Sequence, residues 1–128
     1  DEKSIKRAGL DYWDKLEIEE HDSLEAFLNK YIPEDNNMFF ATTKGKTKYT
    51  DINYSKMDEV FVLYGKETKG LPEELLEKYL DTKTIRIPML KTLRSLNLAN
   101  SVAIITYEIL RQHNFEDLQE VSTYFDDK

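Results

Sequence analysis

The stretch Glu59-Val60-Phe61-Val62-Leu63-Tyr64-Gly65 decides the fold. After its first residue it is apolar without a break until the glycine. Such a run predicts a strand covered on both faces, as in a parallel sheet. Downstream, Leu71-Pro72 opens a helix carrying Leu75, Leu76, Tyr79 and Leu80, with Pro72 suited to the first turn. Thr84-Ile85-Arg86-Ile87 is a strand stopped by Pro88. Leu96 to Gln112 then reads as a long helix. Its centre, Val102 to Tyr107, is rich in β-branched residues, but its length and nearly all-round apolar character predict a buried helix. Residues 115–128 predict a short helix with an acidic tail. Upstream, Met38-Phe39-Phe40-Ala41-Thr42 is a second buried strand, running into a polar loop over residues 43–48. Before it, Asp22 and Glu25 form a capping-box pattern ahead of Leu24, Phe27, Leu28 and Tyr31 at helical spacing, closed by Pro33. Residues 3–8 predict one helical turn ending at Gly9, and Leu16 with Ile18 a short strand.

Strands alternating with helices imply an α/β fold with a mainly parallel sheet. Ligands in such sheets bind beyond the carboxyl ends of the strands. Three loops leave strands at those ends, at residues 43–48, 65–71 and 88–96, and all are polar or contain glycine. A site where they converge is the first functional expectation.

Composition narrows the classes. The 128 residues suit one domain, with 40% hydrophobic and 34% charged residues. There is no cysteine, which excludes a disulfide scaffold, a thiolate metal site and a thiol nucleophile. No apolar run is long enough to cross a bilayer, so no membrane partner is expected, and a small unstapled domain suits the cytoplasm. Eighteen basic against 25 acidic residues give a net charge of −7, which opposes nonspecific nucleic-acid binding but leaves room for a local basic patch. His21 and His113 are isolated and lack metal-ligand spacing, so no metal is expected.

Two segments could carry chemistry. In the loop from Gly65 to Gly70, Gly65 would let backbone pass close to a ligand and Gly70 would permit a turn before the helix. It matches neither the phosphate loop nor the dinucleotide fingerprint, and on spacing alone it reads as an ordinary β–α turn. In the second, Ser95, Asn97, Asn100 and Ser101 crowd the entrance of the long helix. Capping needs one of them. Asn97 and Asn100 would share a helix face, and two amides on a buried face need partners, which tilts the reading toward a site. Lys44, Lys46 and Lys48 form either a solvated loop or a phosphate-contacting one. Glu108 and Arg111 read as a surface ion pair.

Taken in order, YGKETKGLP (64–72), IRIPM (85–89) and RSLNLANSVAIITYEILRQ (94–112) resemble the last signature motifs of the SPOUT methyltransferases. More narrowly they are similar to bacterial tRNA 2′-O-methyltransferases acting on a wobble cytidine or uridine, as are KRAGLDYW (6–13) and FFATTKG (39–45). The resemblance runs from Asp1 to about Phe115. It implies a SPOUT-type α/β fold with a C-terminal trefoil knot, a topology general rules would never suggest. It also implies S-adenosyl-L-methionine as cofactor, a homodimer, and the tRNA anticodon stem-loop, at position 34, as partner.

Carried over residue by residue, the resemblance places Ala41 to Lys44, Thr42 among them, at the border of the adenosyl pocket, with Gly65, Glu67 and Gly70 in the loop beside the cofactor. Ile87 and Met89 would offer backbone to the adenine, and Ser95 with Leu96 would complete the wall. Asn97 and Asn100 would brace the knot and the cofactor loop. Lys44, Tyr107 and Arg111 would face RNA. The strand and asparagine-rich loop that carry the family's catalytic arginine find no match in residues 1–128, so no catalytic base is assigned. The chain is therefore expected to be one SPOUT domain, N-terminally incomplete relative to the family and poorly active by itself. An rRNA 2′-O-methyltransferase of the same superfamily and a non-catalytic cofactor- or RNA-binding module stand as alternatives.

Overall fold

A computed structural model describes residues 28, 37–65, 70–93 and 96–126. The turn expected at residues 3–8, the strand at Leu16 and Ile18, and all but Leu28 of the helix expected over residues 24–31 lie outside the described residues. So do the site candidates Glu67 and Ser95.

The described sheet has four strands: β1 (Met38–Ala41), β2 (Thr47–Lys48), β3 (Phe61–Tyr64) and β4 (Thr84–Arg86). Their order is β2-β4-β1-β3 and every pairing is parallel. Met38 stands opposite Phe61 and Ala41 opposite Tyr64, while Ala41 also stands opposite Ile85, which is itself opposite Thr47. β4 therefore lies between β1 and β2, although only residues 42–46 separate those two strands in the chain.

The apolar strands owe their runs to cover on both faces, which buries Met38, Phe39 and Phe40 of β1 and half-buries all four residues of β3. On one face Met38, Phe40, Leu76 and Tyr79 form a cluster with Phe61, Leu63 and Leu28 against it. On the other, Phe39, Tyr54, Ile85 and Ile105 gather Val60, Val62 and Tyr64. Side chains of β1 and β3 thus alternate between two cores, so the pleat's period of two is present without a polar face.

Helix α1 (Glu73–Lys78) begins at Pro72, whose carbonyl accepts from Leu76 N–H at 3.1 Å. Glu73 and Glu74 in its first turn and Lys78 in its last complement the helix dipole. It stops before Tyr79, which packs with Phe40 at 5.6 Å between ring centroids. Helix α2 (Leu98–Gln112) starts two residues later than expected. It is not buried all round: Val102, Ile105 and Glu108 are its buried residues, while Tyr107 is 41% exposed.

The expected terminal helix does not form within 115–126. Asn114, Phe115 and Asp117 have φ of 60°, 52° and 64°, a left-handed backbone that cannot continue a right-handed helix. Phe115 N–H instead reaches back to the carbonyl of Leu110 at 2.8 Å, closing the end of α2.

Candidate functional site

β4, β1 and β3 are adjacent and parallel, so their carboxyl ends share one edge of the sheet. Thr42, Gly65 and Ile87 follow those three strands directly, and all three are half-buried, as are Ala41, Met89 and Leu96. The loop after β4 adds Leu90 and Leu93, which are 72% and 50% exposed. An edge combining free strand ends, half-buried backbone and exposed apolar side chains suits a ligand with a flat apolar part and a polar part. S-adenosylmethionine is such a ligand, and the residues present fit it.

The first of the three loops is held rigidly. Thr42 N–H donates to the carbonyl of Ile85 at 3.0 Å, Gly45 N–H to the carbonyl of Thr42 at 3.1 Å, and Lys46 N–H to Thr84 Oγ1 at 3.2 Å. Arg86 Nη1 closes on the carbonyl of Thr43 at 2.5 Å. Residues 42–46 therefore lie across β4 and are bonded to it. Gly45 is glycine because a Cβ there would stand 2.7 Å from the carbonyl carbon of Ile85.

Gly65 is required for a related reason. A Cβ at this position would meet the carbonyl carbon of Gly70 at 2.2 Å and Leu71 N at 2.4 Å. The small residue lets Gly65 lie against the backbone of Gly70 and Leu71, so a larger one would disrupt that contact before it could crowd a ligand. Gly70, at φ 66°, supplies the left-handed turn ahead of α1.

Asn97 and Asn100 do not lie on a buried helix face. Asn97 is the N-cap of α2, and its Oδ1 accepts from Ala99 N–H at 2.8 Å and Asn100 N–H at 3.4 Å. Both asparagines are exposed. One capping residue explains Asn97, because the cap lies outside the helical backbone and does not share its faces.

The basic candidates are partly engaged. Lys44 Nζ meets Glu73 Oε1 at 2.7 Å, and this contact holds the Glu73 carboxyl below the usual range. Lys48 Nζ is 3.8 Å from Asp51. Arg111 grips Glu108 with Nε at 2.8 Å and Nη2 at 3.0 Å. That pair is not purely a surface one: the Glu108 side chain is 8% exposed while that of Arg111 is 61% exposed. Tyr107 lies one residue before Glu108 on the open side of α2.

Sequence reasoning missed the polar clamp at the end of α2. Gln112 Oε1 accepts from Tyr54 N–H at 2.7 Å, its Nε2 donates to the carbonyl of Ile52 at 2.8 Å, and His113 Nε2 lies 2.8 Å from the carbonyl of Tyr54. The available signal was spacing, since Glu108 and Gln112 continue the stripe that Val102 and Ile105 begin.

The SpoU rRNA Methylase family matches residues 1–107, and the chain belongs to that family. Among its relatives, the tRNA (cytidine(34)-2′-O)-methyltransferase of Aeromonas hydrophila is 41% identical over 121 residues, covering 94% of this chain and 75% of that one. A Bacillus subtilis protein bearing the same name as a provisional assignment is 43% identical over 120 residues, 93% of this chain and 73% of its own. A solved structure concerned with the 2-OH methylation of C/U34 on tRNA superposes with a TM-score of 0.65 at 36% identity, covering 86% of this chain and 68% of that one. An AdoMet-bound rRNA methyltransferase from Sinorhizobium meliloti superposes at 0.57 with 31% identity, covering 69% of this chain and 33% of that one. Among the described residues, no helix is long and apolar enough to cross a membrane.

Proposed function

We propose that the protein is a tRNA 2′-O-methyltransferase that moves a methyl group from S-adenosylmethionine to the ribose of nucleotide 34, a cytidine or uridine in the anticodon loop. The observation that carries this reading is the shared edge formed by the ends of β4, β1 and β3, in a chain of the SpoU family whose relatives are named for that reaction. The match to tRNA-directed relatives over more than nine-tenths of the chain favours tRNA over rRNA as substrate.

The cofactor supplies an electrophilic methyl on a sulfonium. The protein's task is then to hold the acceptor hydroxyl in line and keep water away. In this reading Ala41, Thr42 and Gly65 border the adenosyl group, Ile87 and Met89 present backbone to the adenine, and Leu96 closes the wall with Ser95. Glu67 and Gly70 belong to the loop beside it. Asn100, at the start of α2, lies near the wall through its backbone. Lys44, Tyr107 and Arg111 face the anticodon stem-loop.

The placement of β4 between β1 and β2, with residues 42–46 bonded across it, supports a trefoil knot. The half-covered flank of α2 and its exposed Tyr107 support a homodimer with this helix at the interface. A tRNA substrate supports a cytoplasmic location. The test is incubation of full-length protein with labelled S-adenosylmethionine and unmodified tRNA, followed by mapping of the modified nucleotide. A 2′-O-methyl at nucleotide 34 is expected; methylation confined to rRNA would reject the substrate, and no transfer to either RNA would reject the enzyme.

A further inference from the structure

Gln112, Glu108 and Arg111 form one chain of hydrogen bonds. Gln112 binds the backbone of Ile52 and Tyr54 through both ends of its amide, and its Nε2 also donates to Glu108 Oε2 at 2.8 Å. Glu108 then accepts both Nε and Nη2 of Arg111. The carboxylate is buried and the guanidinium is exposed. An apolar residue at position 108 would continue the stripe of Val102 and Ile105 without desolvating a charge, so stability alone is a poor reason for a glutamate there. A fork gripped through Nε and Nη2 is fixed in plane and direction, with Nη1 left to point outward.

We propose that Gln112 is a positioning residue for the RNA contact: through Glu108 it locks the guanidinium of Arg111 in one frame with the 52–54 backbone. This rests on the reading of the protein as a tRNA methyltransferase. A pre-set guanidinium loses less freedom on meeting a phosphate, so the network raises affinity for tRNA and leaves the methyl-transfer step alone.

The experiment compares full-length wild type, Gln112→Met, Arg111→Ala and the double variant. It measures KM and kcat for unmodified tRNA, the salt dependence of tRNA binding, and affinity for S-adenosylhomocysteine by calorimetry. Gln112→Met should raise the tRNA KM about five- to tenfold, the size expected for weakening one charge-assisted contact, with kcat and the calorimetric affinity unchanged. Arg111→Ala should raise KM at least as much and reduce the log–log salt slope by about one. In the Arg111→Ala background, Gln112→Met should add nothing. Equal effects of Gln112→Met in both backgrounds would overturn the proposal, as would an unchanged KM in Arg111→Ala. Should Gln112→Met fail to fold, Glu108→Gln with and without Arg111→Ala asks the same question of the middle link. Wild-type protein that binds S-adenosylhomocysteine but not tRNA would reject the functional reading itself, an outcome distinct from wild-type tRNA activity with additive variants.

Discussion

Gly45 lies flat against Ile85: its Cα has no room for a substituent on the side facing β4, where a Cβ would stand 2.7 Å from both the carbonyl carbon and the carbonyl oxygen of Ile85. Both partners are backbone, so no rotamer change can relieve the contact. Gly45→Ala should therefore displace residues 42–46 and destabilise the protein by about 1–3 kcal/mol, the usual range for overpacking. Urea unfolding of wild type and variant should show a lower midpoint with an unchanged slope. A variant as stable as wild type would mean that the loop does not rest on β4.

Tyr54 is wholly buried, yet its hydroxyl donates to the carbonyl of Tyr49 at 2.7 Å. Burial, with Glu108 and Tyr49 nearby, pushes its phenol far above the usual range, so it stays protonated and remains a donor. Tyr54→Phe keeps the edge-on packing against Phe39, at 5.6 Å between centroids, and removes only the hydrogen bond. The expected cost is about 1–2 kcal/mol, because an acceptor loses its partner. Thermal unfolding of the pair measures it, and a loss below a few tenths of a kcal/mol would show that water replaces the hydroxyl.

Asn97 separates a cap from a ligand contact. Asn97→Ala should cost about 1 kcal/mol, and Asn97→Asp or Asn97→Ser should restore most of it. Affinity for S-adenosylhomocysteine, measured well below the unfolding temperature, should be unchanged in all three. A selective loss of that affinity without a change in stability would return Asn97 to the site.

Glu108 makes stability depend on pH. Arg111 holds its carboxyl below the ordinary value of 4.5, with Gln112 adding to the effect and burial opposing it. A carboxyl whose folded value is depressed favours the folded state above its unfolded value, and that advantage disappears as pH falls through the folded value. Glu108→Gln should therefore be less stable than wild type at pH 7, with the gap narrowing as pH falls from 4.5 through the depressed folded value. Urea midpoints at pH 7 and pH 3.5 provide the comparison. A gap that is constant with pH would mean that packing, not charge, is what the substitution removes.

Much of the fold was legible because apolar runs and prolines punctuate it. Val60 to Tyr64 announced β3 and its two-sided cover, and Pro72 and Pro88 marked the start of α1 and the end of β4 to within a residue or two. The carboxyl-end edge followed from the parallel sheet. β2 was illegible because Thr47-Lys48 is two polar residues long, and only β4, some 37 residues later, makes it a strand. The tail failed for a different reason: Asn114, Phe115 and Asp117 take a left-handed backbone that composition does not announce. The asparagines were misjudged by counting faces from Leu96, one residue before the true cap. The clamp stayed hidden because Gln112 meets its backbone partners 58 and 60 residues away, beyond any local spacing rule.

The insertion of β4 between β1 and β2 has a consequence for synthesis. β1 and β2 leave the ribosome almost together, but the strand that joins them follows after roughly 35 further residues. At about 5–20 residues per second, the gap between them stays open for about two to seven seconds on the nascent chain. During that interval one edge of β1 and the inward edge of β2 offer unpaired backbone, and Phe39 lacks the cover of Ile85 and Ile105. The bridge over residues 42–46 must therefore form late, or stand open long enough to admit β4. Slow maturation is the expected result of so short a link spanning so late a strand.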